Sequence, residues 1–91
     1  MSYTLYLSRP AVKMLDLPDR STERRIRAGL RRLESDPYDP RLSKHVANVE
    51  GLRSSKIGDW RILYTVNEDR KAIYVVAIRP CGEAYRGLSS S

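Results

Sequence analysis

Apolar and polar positions follow different periods along this chain, and the periods predict its elements. Residues 3–8 (YTLYLS) are β-branched, aromatic and aliphatic, which predicts a first strand. Ser8 can then cap a short helix with Pro10 in its first turn and Ala11, Val12, Met14 and Leu15 along its length. Pro18 is expected to end it, because a residue before proline is pushed away from helical angles. Residues 19–35 (DRSTERRIRAGLRRLES) predict a second helix, capped by Asp19 or Ser21, with Glu23 near the positive end of its dipole. Ile26, Leu30 and Leu33 fall at i, i+4 and i+7 and form one apolar stripe. Pro37 and Pro40 stop this helix, and a polar loop is expected through about residue 50.

Beyond that loop the period changes to that of strands. Residues 52–57 and 60–67 flank Gly58-Asp59, a two-residue hairpin turn, and 72–79 (AIYVVAIR) predict one more strand. Residues 80–91 (PCGEAYRGLSSS) read as a short irregular or helical tail, frayed at about 88–91. The order of strand, two helices and three strands predicts one α+β domain over residues 1–91. In it, a helical hairpin covers one face of a four-stranded, mainly antiparallel sheet.

Alternation on 60–67 sends Trp60, Ile62, Tyr64 and Val66 toward the helices. Arg61, Leu63, Thr65 and Asn67 point the other way. The turn sets Ile57 opposite Trp60 and Lys56 opposite Arg61, and like charges directly opposite destabilise a sheet. Two cations so placed invite an anion, most simply a phosphate. Glu50, Asp59 or Glu83 offers the alternative of ordinary salt bridges. Regular alternation groups Arg79 with Ile73, Val75 and Ala77, and which face they share depends on a register the sequence leaves open.

Composition sharpens this picture. The chain has 91 residues, 41% hydrophobic and 31% charged, which suits one globular domain. No apolar run approaches the roughly 20 residues of a membrane helix, and no signal-peptide segment is recognisable, so a cytoplasmic protein without membrane partners is expected. A single cysteine, Cys81, forms no internal disulfide. Seventeen Lys and Arg against eleven Asp and Glu give a net charge of +6, compatible with nucleic acid or an acidic protein. Arg20, Arg24, Arg25, Arg27, Arg31 and Arg32 fill most of the second helix outside its apolar stripe, as a solvated face. His45 is the one histidine, which excludes a two-histidine ribonuclease mechanism. One Cys and one His offer no metal-ligand cluster, so no metal or other cofactor is expected.

The string VEGLRSSKIGDWRILYTV, followed by a strand running into R-P-C-G-E-A-Y-R, resembles the RelE/ParE superfamily of toxins from type II toxin–antitoxin systems. RelE-like members are small ribonucleases that cut messenger RNA on the ribosome and are held inactive by an antitoxin. ParE-like members share the fold, lack the nuclease residues and poison DNA gyrase. The resemblance implies a RelE-like toxin with a RelB-like antitoxin partner in a hetero-oligomer, the antitoxin being an acidic, partly disordered chain that folds on binding. It implies Arg61 at the scissile phosphate, Lys56 in the basic strand before it, Arg79 at the end of the last long strand and Tyr85 in the C-terminal segment. Arg53 and Arg86 are implied as further RNA contacts, Arg53 the weaker because alternation puts it on the Trp60 face. Cys81 stands where many relatives have arginine.

Those residues suggest metal-independent cleavage, in which the 2′-hydroxyl attacks the adjacent phosphate and the 5′-oxygen leaves. Fixed cations stabilise the growing phosphoryl charge, a task for Arg61 and Arg79. Lys56 is expected to assist proton movement, and Tyr85 either shares that task or stacks on a base.

Overall fold

The computed structural model describes residues 2–16 and 19–80. Strand β1 (Thr4–Leu7) is followed by helices α1 (Arg9–Leu15) and α2 (Arg20–Ser35), then by β2 (Lys44–His45), β3 (Leu52–Ile57), β4 (Trp60–Asn67) and β5 (Ala72–Pro80). The α+β class and the order of helices and long strands match the expectation. The strand count does not: β2 adds a fifth strand, so the sheet order is β1-β5-β4-β3-β2. This strand is two residues long and lies within a polar loop, so it carries no period for a pattern to register. The expected Pro18 stop, the tail after Pro80 and the fraying of 88–91 lie outside the described residues.

Both helices start where the capping rules place them. Ser8 Oγ accepts from the Ala11 amide at 3.2 Å, and Asp19 Oδ1 accepts from the Thr22 amide at 2.8 Å. The Thr22 contact holds the Asp19 carboxyl below its ordinary range. Between them the helices carry the chain from β1 to the far side of the sheet. It returns so that β5 lies parallel to β1, while the other strand pairs are antiparallel.

One face of the sheet meets the helices. Ile62, Tyr64, Ile73, Val75 and Ile78 are buried there against Ala11, Leu15, Ile26, Leu30 and Leu33. The α2 stripe is thus the contact its spacing predicted. Gly29 permits close approach at the β3 end, since a Cβ there would collide with the Ile57 side chain. Tyr64 is fully buried, and its hydroxyl donates to the Pro37 carbonyl at 2.6 Å. That bond fastens the loop after α2 to the middle of the sheet.

At the end of the sheet where β4 turns into β5, Glu68 gathers three donors. Its Oε2 accepts from Tyr3 at 2.7 Å and Tyr38 at 2.8 Å, and its Oε1 accepts from Lys71 Nζ at 2.8 Å. The cluster ties β1, the loop after α2 and the β4–β5 turn together. Lys71, then Tyr3 and Tyr38, lower the Glu68 carboxyl from 4.5 to about 2. Burial and the Glu68 contact raise the Tyr38 hydroxyl to about 12.

A carboxyl lowered by folding contributes stability above its unfolded value and loses it as pH falls through the folded value. Glu68→Gln is therefore expected to lower the melting temperature at neutral pH. The gap between variant and parent should close as pH falls from 4.5 to about 2. Thermal melts by circular dichroism across that range check it, and a gap independent of pH would contradict the assignment.

Candidate functional site: a row of cations across the open sheet face

The hairpin turn forms as the sequence implies. Gly58 has φ +58° at the first central position, the geometry of a type II′ turn. Its register pairs Ile57 with Trp60 and Lys56 with Arg61. On the other side of β4, Arg61 pairs with Arg79. Residues paired directly across strands share a face and stand roughly 4.5–5.5 Å apart at Cα. Lys56, Arg61 and Arg79 therefore form one row over three adjacent strands, on the face turned away from the helices.

Arg79 reaches this row through an irregularity. The β4–β5 register shifts between Leu63 and Tyr64: Leu63 pairs with Ala77, while Tyr64 pairs with Val75. Val76 is the extra residue, a β-bulge that inverts the facing of everything beyond it. Ile73 and Val75 face the core before the bulge, and Ile78 faces it afterwards. Ala77 and Arg79 consequently turn outward. Regular alternation grouped Arg79 with Ile73 and Val75; the bulge separates them.

The bulge is fastened from outside the sheet. Ser8 donates its backbone amide to the Val75 carbonyl at 3.0 Å and its hydroxyl to the Val76 carbonyl at 2.8 Å. The same hydroxyl oxygen accepts from Ala11 to begin α1. One serine thus caps a helix and satisfies the carbonyl that the bulge would leave unpaired.

No described carboxylate forms an ion pair with Lys56 or Arg79. Among the described residues the ion pairs are Glu23–Arg27, Asp39–Arg41 and Glu68–Lys71. Neither Glu50 nor Asp59 neutralises Lys56 or Arg79, and Glu83 lies outside the described residues. Lys56 and Arg79 are exposed, and Arg61 is half-buried between them. Lys56 and Arg61 line a groove of about 280 Å³ together with Pro40, Arg41, Lys44 and Ser54.

Arg53 does not join the row. It pairs with Tyr64 and so lies on the helix side of the sheet, with no bulge in β3 to turn it. Its guanidinium donates to Ser43 Oγ at 3.0 Å and sits 5.2 Å from the Tyr38 ring centre. Ser43 in turn donates to the Pro37 carbonyl at 3.0 Å. Arg53 therefore braces the loop after α2, on the helix side of the sheet and apart from the row. Tyr85, Arg86 and Cys81 lie outside the described residues. Lys44 was not among the sequence candidates, since only its pairing with Ser54 brings it to the cationic face. Among the described residues no group of three or more His, Cys, Asp or Glu side chains is arranged to hold a metal ion.

The family model for the ParE toxin of type II toxin–antitoxin systems, parDE, matches residues 6–85. The chain belongs to this family. It is thus a member of the RelE/ParE superfamily that the hairpin string resembles. Among solved structures it is similar to RelE in the archaeal RelE–RelB complex from Pyrococcus horikoshii, with a TM-score of 0.78 and 24% identity over 90% of this chain and 98% of that one. It is similar to the RelBE2 toxin–antitoxin complex from Mycobacterium tuberculosis, with a TM-score of 0.73 and 22% identity over 88% of this chain and 99% of that one. The isolated Escherichia coli RelE toxin gives 0.76 at 14% identity, covering 96% and 99%. These likenesses show a shared fold. No curated protein gives a significant match. Among the toxin's described residues, no helix is long and apolar enough to cross a membrane.

Two outcomes test this geometry. Ser8→Ala removes the helix cap and the bond to the bulge, and should cost about 1–2 kcal/mol in chemical denaturation. Arg79→Met removes one like-charge neighbour of Arg61 and should stabilise the toxin by roughly 0.2–1 kcal/mol at low ionic strength, a gain that salt erases. A salt-independent loss of stability in Arg79→Met would mean that the row is not repulsive.

Proposed function

We propose that this toxin is a RelE-like messenger RNA endonuclease that works in the cytoplasm on translating ribosomes and is neutralised by a RelB-like antitoxin. The observation that carries the reading is the in-register row of Lys56, Arg61 and Arg79 on an open face. Like charges directly opposite on neighbouring strands are destabilising, and a phosphodiester supplies an anion that offsets them.

The chemistry follows from the row. The RNA 2′-oxygen attacks the adjacent phosphorus as its proton is withdrawn. A pentavalent phosphorane forms, and the 5′-oxygen leaves with a proton, giving a 2′,3′-cyclic phosphate and a 5′-hydroxyl end. Arg61 and Arg79 stabilise the charge that grows on the phosphoryl oxygens. Arg61 suits this because a planar guanidinium meets two phosphate oxygens at once. Lys56, with Tyr85 from the C-terminal segment, assists the two proton movements, and Arg86 adds an RNA contact. No metal or cofactor enters the scheme. The antitoxin acts by covering or displacing the groups of the row; a partner of this kind is supported by the toxin–antitoxin complexes among the similar structures.

The family model's own description supports a second reading, a ParE-like toxin that inhibits DNA gyrase and cleaves nothing. One experiment separates the two. The toxin is induced in growing cells and new messenger RNA 5′ ends are mapped, beside a gyrase supercoiling assay on the purified protein. The nuclease reading expects new 5′ ends, no effect on supercoiling, and a loss of cleavage of about a hundredfold or more in Arg61→Ala. Intact transcripts with inhibited supercoiling would establish the gyrase reading instead.

A further inference from the structure

We infer that Lys44, on the short strand β2, is a fourth cation of the same track and binds an RNA phosphate beyond the one held by the row. The inference rests on reading the row as an RNA site and extends it in a direction the row itself defines.

Lys44 pairs with Ser54 and therefore stands on the face that carries Lys56, which is two residues further along β3. It is exposed, and no described carboxylate forms an ion pair with it. Together with Ser54, Lys56 and Arg61 it lines the groove of about 280 Å³. Ser54 is 6% exposed and brings no charge, so Lys44 supplies the cation at that end of the groove. Arg41 is also on the wall, but its guanidinium is engaged with Asp39.

Cations at Arg79, Arg61, Lys56 and Lys44 step across β5, β4, β3 and β2 in order. With strands about 4.8 Å apart, the line spans roughly 15 Å, the reach of a few nucleotides in an extended chain. A single-stranded backbone therefore crosses the strands instead of running along them, with its reacting phosphate over Arg61 and a neighbouring one in the groove beside Lys44. An isolated surface lysine would give no such direction. Lys44 gives one because it carries the cationic face of the row onto β2, two residues back along β3 from Lys56.

The test uses a fluorescent, non-cleavable 2′-O-methyl RNA oligonucleotide, with anisotropy measured over a range of salt for the full chain. Lys44→Ala is expected to weaken binding about fivefold at low salt, and to make the salt dependence shallower by about 0.7 in log–log slope, one phosphate contact on a single strand. Lys44→Arg should restore both. Arg70→Ala removes the same charge from the turn at the opposite end of the sheet and should change neither. In cleavage of messenger RNA, Lys44→Ala should raise KM and leave kcat unchanged. If Lys44→Ala behaves like Arg70→Ala while Arg79→Ala weakens binding, the inference fails and the reading of the row survives. If the parent does not bind the oligonucleotide, that reading fails and takes the inference with it. An equal loss of affinity for an oligoglutamate peptide would assign the groove to acidic protein and overturn the inference.

Discussion

The side chains of a strand alternate with period two, so one extra residue inverts the facing of every side chain beyond it. In this toxin that residue is Val76. A regular β5 would have pushed Arg79 into the apolar layer and turned Ile78 out to water. With the bulge, Ile78 completes the core and Arg79 takes its place beside Arg61. Burying an unpaired guanidinium costs far more than a bulge, which loses only local pairing. Ser8 recovers part of even that loss by donating to the Val76 carbonyl. The start of α1 and the cationic site thus share one hydroxyl, and the N-terminal strand cannot shift without disturbing both.

The sheet separates its charges by end. Where β4 turns into β5, Glu68 is matched with Lys71 and two tyrosine hydroxyls, and its carboxyl is held ionised to about 2. At the other end, three cations stand in register with like neighbours. Such pairs cost a few tenths to about 1 kcal/mol each, a tolerable share of the roughly 5–15 kcal/mol that holds a domain together. Directly behind the row, Ile62 and Ile78 lie fully buried against the helices. The backbone under the cations is therefore rigid, so the charges meet an incoming anion with little reorganisation, and that is what makes fixed cations effective in electrostatic stabilisation.

What could be read from the residues depended on how local the signal was. Helix α2 was legible because its stripe of Ile26, Leu30 and Leu33 and its cap at Asp19 are local. The pairing of Lys56 with Arg61 was legible because Gly58-Asp59 fixes the hairpin register across two residues. Arg53 was placed correctly on the Trp60 face, yet its partner is Ser43, on a loop that alternation says nothing about. The facing of Arg79 was hidden because residues 75–78 (VVAI) include no glycine or polar residue to mark a bulge. The bulge is set instead by Ser8, 68 positions away. β2 was hidden because two residues form a strand only when β3 is already there to pair with.

The fold likeness and the row carry different information. A TM-score of 0.78 at 24% identity reflects the shared helix-on-sheet scaffold, whose determinants are the apolar positions of one face. A scaffold of this kind hosts more than one activity, and function resides in what the other face presents. Surfaces that bind only protein tend to exclude lysine from their centres, because its charge must be desolvated and matched, whereas arginine is enriched there. Lys56, standing between strands without a described carboxylate in an ion pair with it, suits such a surface poorly. A phosphodiester backbone brings its charge at regular intervals along a flexible line and needs little desolvation at an open sheet face. The register of the sheet, more than the total charge of the chain, is therefore the feature on which the proposed RNA target rests.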